Sequence, residues 1–554
     1  MGSLEEEKTF TDADTFEKNQ CKRNGEINGN VFTSEEKESK NSKSATSELP
    51  AKTKPRFPKQ TTKPITKSKI FDLLILIWFS IECIICHVAL LTIAVALSPL
   101  LITYNILKTL ERLFAWATRG AYSVSGQDAL WQQDSDTNRL IITSVLIAPK
   151  SENIEKELVK FREVVLERMV KAKNDCGELI YPRVRWCIRP GYFQYFFEEE
   201  KNFQIEKHVY KYEGSEPTSK DELEEIVSKL SGEPLPENLS PWYYCAVPTN
   251  YGNKDIIVIF RAHHSMADGV SLARFLTGKL PDYKIPLKEP VKFSSKRRLP
   301  NFAKAFFIMG RVFFKQLFRS SNKSVLHGPE LSGVKKVVWS TATDLELIKK
   351  IKTVTGTTIN DVLMTCLSMA IRGYYKRRGI QNPPDFEACI PVDVRPFKKE
   401  LSFENRFAVV FLTLPSSIDG ALAQLDETKA RMDIIKTSGE PISMAWLMHL
   451  AVAFCPEALI KPILGFISSK ASCVLSNVPG PQVPIQIAKK EIKSLTFWPP
   501  QRNIIGIGLS IFTYAGMVFV GVQCDVALMT DPGVVLEEYS KAVKELSNAV
   551  LMST

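Results

Sequence analysis

The sequence predicts an α/β fold in two halves, preceded by a segment that is apolar enough to enter a membrane. Three observations support this prediction. The chain has 554 residues, more than one ordinary hydrophobic core accommodates. Strand-like apolar runs alternate with amphipathic helices in two stretches, which gives halves at 119–290 and 333–554. Residues 70–107 are almost uniformly apolar and exceed the ~20 residues that a membrane-spanning helix needs.

The N-terminal tail, residues 1–68, is predicted to be disordered because it is polar and has few large apolar side chains. The chain carries a formal charge of +11, but this charge is unevenly distributed. Residues 1–48 hold 7 basic and 11 acidic side chains, whereas residues 49–69 hold 7 basic and none acidic. A basic block beside an apolar segment favours contact with anionic lipid, and no nucleic-acid motif accompanies it.

The membrane segment, residues 69–118, is expected to form a helix or a helical hairpin. Pro99 interrupts its apolar run, and Glu82 would be costly in the middle of a bilayer. Lysines and arginines on both flanks favour a hairpin or re-entrant loop that returns to the cytosolic face. A buried core helix is the alternative, but the length and uniform apolarity disfavour it.

The eleven cysteines lack a disulfide or zinc-binding pattern, which indicates a reducing compartment.

The elements of the first half follow from their apolar patterns. They are a strand at 140–147, a helix at 152–172, a strand at 241–247 and a fully buried strand at 256–260. A linker, residues 291–332, contains a basic, phenylalanine-rich helix that either lies in a membrane interface or packs between the two halves. The second half is predicted to contain a strand at 335–341, a helix led by Asp344, a helix through Tyr375, a strand at 409–414, broken helices at 446–467 and a hairpin at 509–522.

Two adjacent histidines, His263 and His264, stand where the buried strand gives way to a turn. Neighbouring side chains on an extended segment point to opposite faces, so one imidazole is expected to face a cavity and the other to face packing. A neutral imidazole in a dry channel can take a proton from a hydroxyl that attacks an activated acyl group. A purely structural role is one alternative. A metal site is another, but the remaining histidines have no ligand-like spacing, so no metal is predicted.

These residues and several later motifs together resemble the wax ester synthase/diacylglycerol acyltransferase family, within the superfamily of HHxxxDG acyltransferases and condensation domains. The resemblance implies two mixed-sheet halves of the chloramphenicol acetyltransferase type with a channel between them. It also implies transfer of a fatty acyl group from acyl-CoA to a long-chain alcohol or diacylglycerol, giving wax ester or triacylglycerol. The motifs occur in the family's order at Gln127–Trp131, Ser240–Trp242, His263–Gly269, Asn360–Asp361, Pro391–Pro396, Glu404–Arg406 and Ser476–Pro481.

Roles for individual residues come partly from the resemblance and partly from the residues themselves. The resemblance makes His264 the general base and Asp268 a structural partner. Asp268 is placed to cap the helix that follows the turn, and a buried carboxylate needs a partner such as Arg395. His263 is expected to pack or to orient its neighbour. Asn360 either donates a hydrogen bond to the developing oxyanion or caps a helix.

Further expectations concern support and location. Gly269, Arg395 and Asn477 are expected to support the site, with Asn477 in the channel wall. Acyl-CoA is expected as a co-substrate, without a cofactor or nucleic acid. The protein is expected in a membrane, that of the endoplasmic reticulum, with its catalytic part facing the cytosol. The competing hypothesis is a catalytically idle lipid-binding or scaffold protein on the same fold.

Overall fold

The computed structural model describes residues 69–124, 126–252, 255–283, 298–322, 324–395 and 401–552. The predicted disordered tail, the first residues of the linker and Pro396 lie outside the described residues. Residues 66–172 and 179–554 cluster as one unit. The turn 173–178 falls outside this unit, and in it the Asn174 side chain accepts the backbone N–H of Cys176.

The described residues contain a long N-terminal helix, and further helices alternate with the strands of two large sheets. The helices are α1 (Lys69–Arg119), α2 (Gly126–Ala129), α3 (Ile154–Val165), α4 (Ile205–His208), α5 (Lys220–Gly232), α6 (Gly269–Gly278), α7 (Arg298–Phe318), α8 (Leu345–Thr355), α9 (Ile359–Arg377), α10 (Ala421–Ser438), α11 (Glu440–Phe454), α12 (Glu457–Ser468) and α13 (Gly533–Leu551). A π-helical turn (Leu166–Val170) extends α3, and a 3₁₀ turn spans Pro182–Arg185.

The strands build two large sheets, a three-stranded sheet in the order β1–β4–β3 and the β13–β14 pair. They are β1 (Tyr122–Ser123), β2 (Ile141–Pro149), β3 (Trp186–Pro190), β4 (Tyr195–Glu199), β5 (Val209–Lys211), β6 (Trp242–Pro248), β7 (Asp255–His263), β8 (Lys335–Trp339), β9 (Thr343–Asp344), β10 (Phe386–Asp393), β11 (Phe407–Leu414), β12 (Cys473–Pro479), β13 (Gln486–Ile487), β14 (Lys490–Glu491), β15 (Ser494–Trp498), β16 (Ile507–Tyr514) and β17 (Met517–Asp525).

The first large sheet has five strands in the order β15–β2–β7–β6–β5. The predicted buried strand is therefore the central one, flanked by antiparallel neighbours on both sides. It runs as far as His263, which pairs with Ile141. The edge strand β15 comes from the second half of the sequence and pairs with β2. The local patterns of the sequence do not predict that a strand of one half joins the sheet of the other.

The second large sheet has seven strands, in the order β11–β10–β12–β16–β17–β8, with β9 also paired to β17. Its predicted hairpin, β16–β17, turns through Ala515 and Gly516, whose φ angles are 50° and 78°. Two successive residues with positive φ are typical of the tight turn that matches the twist of a hairpin. Helix α9 covers this sheet, and its side chains from Asp361 to Ile371 are all buried.

Helix α1 is one continuous helix of 51 residues, so of the two predicted forms the helix is confirmed and the hairpin or re-entrant loop is wrong. Pro99 lies inside it and lacks the N–H that the Val95 carbonyl would normally accept. Ser98 supplies a replacement, because its hydroxyl donates to the Val95 carbonyl oxygen at 2.7 Å. Proline is tolerated in apolar helices when a neighbouring side chain satisfies the freed carbonyl. The helix is long and apolar enough to cross a membrane, with a mean hydropathy of 2.4 in its most apolar window.

The phenylalanine-rich helix of the linker, α7, packs against α1 and α11. A Cβ at Gly310 would lie 2.8 Å from the backbone carbon of Cys86, so only glycine permits this close approach. Arg311 pairs with Glu82 at 2.9 Å, which gives the carboxylate in the apolar segment a partner. The hydroxyl of Ser443 on α11 donates to the Ala305 carbonyl. Helix α7 therefore packs against the membrane segment and a helix of the second half, and its position in a membrane interface stays a prediction.

Candidate active site

A central cavity of about 160 Å³ lies between the two large sheets and is closed on another side by α11 and α12. Its walls come from both halves of the sequence, as the predicted channel requires. Most of the lining side chains are apolar, including Ile142, Phe407, Val409, Met444, Met448, Leu464 and Phe497. The few polar groups that reach it, His264 and Arg502 among them, therefore act in surroundings largely free of water.

His264 lies just beyond the end of β7 and lines the central cavity. Its ring stacks on Trp131 with centroids 3.7 Å apart, and its backbone N–H donates to the Leu140 carbonyl at 2.8 Å. The side chain is 7% exposed, and Nδ1 is buried without a hydrogen-bond partner in the described part of the chain. Because Nδ1 is sealed, Nε2 is the ring nitrogen available to a molecule in the cavity.

The electrostatic surroundings keep the His264 imidazole neutral. Burial chiefly, and then the neighbouring His263, lower the pKa of His264 from 6.5 to about 3. Near pH 7 the ring is therefore unprotonated and can accept a proton. One of the two adjacent imidazoles was predicted to face a cavity, and His264 is the one that does.

His263 is held by hydrogen bonds at both ring nitrogens. Its Nδ1 lies 2.6 Å from the Ser265 hydroxyl, and its Nε2 lies 3.2 Å from Asp134 Oδ1. Gln132 donates to the same serine hydroxyl at 2.8 Å. With both nitrogens engaged, His263 shapes the turn that carries His264 and has no free nitrogen for a substrate.

Asp268 organises the turn after the histidines. Its Oδ1 accepts the Ser271 N–H at 2.9 Å, so it caps α6 as predicted. Its Oδ2 accepts the Arg406 N–H at 2.9 Å and pairs with Arg395 Nη2 at 2.5 Å. The anticipated Asp268–Arg395 ion pair is thus present and almost completely buried. Gly269 follows directly as the first residue of α6.

Of the two remaining predicted site residues, Asn477 lies at the cavity and Asn360 does not. Asn477 lines the cavity, in keeping with its predicted place in the channel wall. Asn360 is exposed and does not line the cavity, and its Oδ1 accepts the Asn477 side-chain N–H at 3.1 Å. Thr358 caps α9 in a capping box with Asp361, so the alternative capping role of Asn360 is wrong. The role of Asn360 as a donor to the oxyanion stays a prediction. Its exposed position outside the cavity does not favour that role.

A buried polar network that the sequence analysis missed supports the backbone of His264. The Asn405 side chain donates to the His264 carbonyl at 2.7 Å and to Asp128 Oδ1 at 2.8 Å. Asp128 also pairs with Arg183 at 2.8 Å, and Arg183 donates to the Met266 carbonyl. Asp128 and Asn405 lie within recognised motifs, but a separation of 277 residues hides their contact from the sequence.

Arg502 is the second missed residue. Its guanidinium lines the cavity, lies 5.8 Å from the Trp131 ring centroid and donates to the Leu130 carbonyl at 3.1 Å. Nε is buried without a partner, and among the described residues no carboxylate forms an ion pair with Arg502. Burial lowers its pKa from 12.5 to about 10, so the side chain remains cationic near pH 7. Arg502 is half-buried, and a cation held in such surroundings without a counter-ion is costly, which indicates that it interacts with negative charge in the cavity.

The lowered pKa of His264 predicts a pH-dependent stability. The folded state takes up this proton only near pH 3, whereas the unfolded chain takes it up near 6.5, so stability is complete above 6.5 and declines below it. Between pH 7.5 and 5.0 this one group should remove ~2 kcal/mol of the free energy of unfolding. Denaturant titration in detergent at both pH values should therefore show a smaller acid loss for His264→Gln than for the wild type. If both proteins lost the same free energy of unfolding on acidification, the lowered pKa of His264 would be contradicted.

Two profiles of one family match the chain. The wax ester synthase/diacylglycerol acyltransferase catalytic domain matches residues 125–303, and the C-terminal domain of the same family matches residues 403–547. Together they cover more than half of the sequence. The chain belongs to this family. The resemblance drawn from the motifs is confirmed, and with it the enzyme class of acyltransferases.

A curated relative agrees with this membership, and solved structures share the fold. A Mycobacterium tuberculosis protein assigned as a diacylglycerol O-acyltransferase is 23% identical over 383 residues, which are 63% of this chain and 75% of the relative. The wax ester synthase/diacylglycerol acyltransferase of Marinobacter aquaeolei VT8 has a TM-score of 0.54 at 16% identity, with 77% of this chain and 98% of that chain covered. The first condensation domain of the calcium-dependent antibiotic synthetase has a TM-score of 0.50 at 11% identity, with 78% and 97% covered. The predicted fold class is confirmed.

Proposed function

We propose that this protein transfers a fatty acyl group from acyl-CoA to the hydroxyl of a long-chain alcohol or diacylglycerol, with His264 as the general base. The observation that carries the proposal is a neutral imidazole on the wall of an apolar cavity. The alcohol proton passes to Nε2 while the alcohol oxygen attacks the thioester carbonyl carbon. Collapse of the tetrahedral intermediate breaks the C–S bond, and the departing CoA thiolate takes the proton.

The negative charge that develops on the thioester oxygen needs a donor, and Arg502 is the residue best suited to supply it. The guanidinium is cationic, reaches the cavity beside Trp131 and lacks a carboxylate partner in the described chain. Asn360, the donor expected from the sequence, is exposed and does not line the cavity. Preorganised donors act most strongly in sites from which water is excluded.

Replacing Arg502 by glutamine is expected to lower kcat by ~10²–10³-fold, the usual loss when an oxyanion donor is removed. KM should change little, because the interaction strengthens only in the transition state. Steady-state kinetics with palmitoyl-CoA and hexadecanol measures both constants. Arg372→Gln is the matched control, since Arg372 also donates to main-chain carbonyls but lies outside the cavity. A glutamine variant with near-normal kcat would exclude this role.

Membrane attachment through α1 is part of the proposal, as is a position on the cytosolic face of the endoplasmic reticulum. Among the exposed side chains of α1 between Leu73 and Leu107 none is charged, and Glu82 is paired with Arg311. At 1.5 Å per residue the helix is about 75 Å long, more than the ~30 Å hydrocarbon core requires. An acceptor dissolved in the same bilayer would then be close to the catalytic part.

Isolated membranes that carry the full chain provide the test. They receive labelled palmitoyl-CoA together with either hexadecanol or diacylglycerol, and ester formation and CoA release are measured in parallel. The proposal predicts ester and CoA in equal amounts, at a rate that depends on both substrates and falls with His264→Ala. Equal background product from the wild type and this variant would favour the lipid-binding or scaffold alternative.

A further inference from the structure

Two helices, α11 and α12, separate the central cavity from the protein surface. Met444 and Met448, one helical turn apart on α11, line the cavity. Leu464 and Ile467 on α12 line it as well. The inner faces of both helices are therefore the wall that an acceptor would cross if it came from this side.

The outer faces of the same helices are unusually apolar for a protein surface. Between Ser443 and Lys470 the only exposed polar side chain is His449. Phe454 is 56% exposed and Phe466 is 55% exposed. We call this surface the outer face; its exposed apolar members are Leu450, Ala453, Phe454, Ala458, Leu459, Pro462 and Phe466. A contiguous apolar surface of this kind indicates contact with a membrane or another protein.

Helix α1 connects the outer face to the membrane segment. The Asn105 side chain donates to the Phe454 carbonyl at 2.8 Å, which holds the end of α11 against α1. Close to this contact, Ile102, Ile106 and Leu110 on α1 are exposed and apolar. Tyr104 and Glu111 of the same helix bind the turn between β3 and β4, so the helix is fixed to the catalytic part at several points. A bilayer that surrounds α1 is thereby brought to the outer face.

Because α1 contacts the outer face, we infer that the outer face lies in the bilayer. The lipid acceptor then enters the central cavity between α11 and α12 directly from the membrane. The inference rests on the proposed function and adds the route of the acceptor. It commits to lipid as the occupant, because the outer face offers almost no polar group to a protein partner. A long-chain alcohol or diacylglycerol would then exchange one apolar environment for another and expose little of its chain to water.

The test compares one acceptor that must come from the bilayer with one that can arrive through water. Purified full-length protein is placed in phosphatidylcholine vesicles with palmitoyl-CoA and either membrane-dissolved hexadecanol or water-soluble hexanol. Phe454→Asp and Phe466→Asp are assayed separately, since a carboxylate on this surface opposes insertion. Val159→Asp is the matched control, because Val159 is 49% exposed on the charged helix α3.

Either aspartate variant is expected to lower the ratio of hexadecanol to hexanol acylation by about tenfold. This is the size of effect expected when one phenylalanine side chain no longer inserts into the bilayer. Both should still sediment with the vesicles through α1, and Val159→Asp should leave the ratio unchanged. An unchanged ratio in both aspartate variants would overturn the route. An equal loss with both acceptors would also overturn it, since the residues would then serve folding or chemistry. If the wild type acylates neither alcohol, the proposed function itself has failed.

Discussion

Replacing His264 by glutamine is expected to lower kcat for acyl transfer by ~10²–10⁴-fold, the contribution of a positioned general base. The loss arises because the ring is neutral and open to the cavity only through Nε2, and an amide cannot take the proton. Glutamine is preferred to alanine since it fills part of the space beneath Trp131 and limits repacking. Single-turnover assays with palmitoyl-CoA and hexadecanol separate the chemical step from binding.

A second buried histidine provides the control for this variant. His208 bonds the Trp242 carbonyl through Nδ1 at 2.8 Å and Glu200 through Nε2 at 3.1 Å, but it does not line the cavity. His208→Gln should lower the thermal midpoint while the folded protein keeps most of its kcat. If both variants lost kcat equally, or if His264→Gln remained active, the assignment of His264 as the base would be wrong.

Replacing Arg395 by methionine is expected to lower the free energy of unfolding by ~3–5 kcal/mol, because the Asp268 carboxylate would remain buried without its cation. The two side chains are only 7% and 5% exposed. Arg395 also donates to the Ser271 hydroxyl and the Glu404 carbonyl, so its loss would loosen the start of α6 and the segment before β11 together. Denaturant titration in detergent measures the change.

An exposed ion pair sets the scale for this prediction. Arg377 is 39% exposed and pairs with Glu537 and Glu538, so Arg377→Met should lower the free energy of unfolding far less than Arg395→Met does. A double-mutant cycle with Asp268→Asn isolates the coupling, since asparagine can still cap α6. A coupling energy near zero would show that the buried pair does not stabilise the turn.

Local patterns were sufficient to predict the part of the site that lies within one stretch of chain. The continuous apolar run before Arg261 identified β7 as buried, and the spacing of Asp268 identified the cap of α6. Both depend on contacts between residues a few positions apart. The hairpin alternative for α1 was wrong for an equally local reason. The hydroxyl of Ser98 replaces the hydrogen bond that Pro99 removes, so the helix continues through the proline.

The rest of the site depends on which strands become neighbours, and no local pattern reveals that. Arg502 reaches the cavity because β15, four residues before it, joins the first sheet instead of the second. Asn405 supports His264 through Asp128, which lies 277 residues away. Two signals were present in the sequence: an acidic residue, Asp128, directly before the apolar run 129–131, and a lone arginine after Pro499 and Pro500.

The role of His264 as the base can be tested by determining a structure with CoA and a long-chain alcohol bound. We expect the alcohol hydroxyl oxygen ~2.6–3.2 Å from Nε2 of His264, with the alkyl chain in the central cavity. An alcohol bound elsewhere, with the His264 ring closed off from it, would show that His264 is not the base.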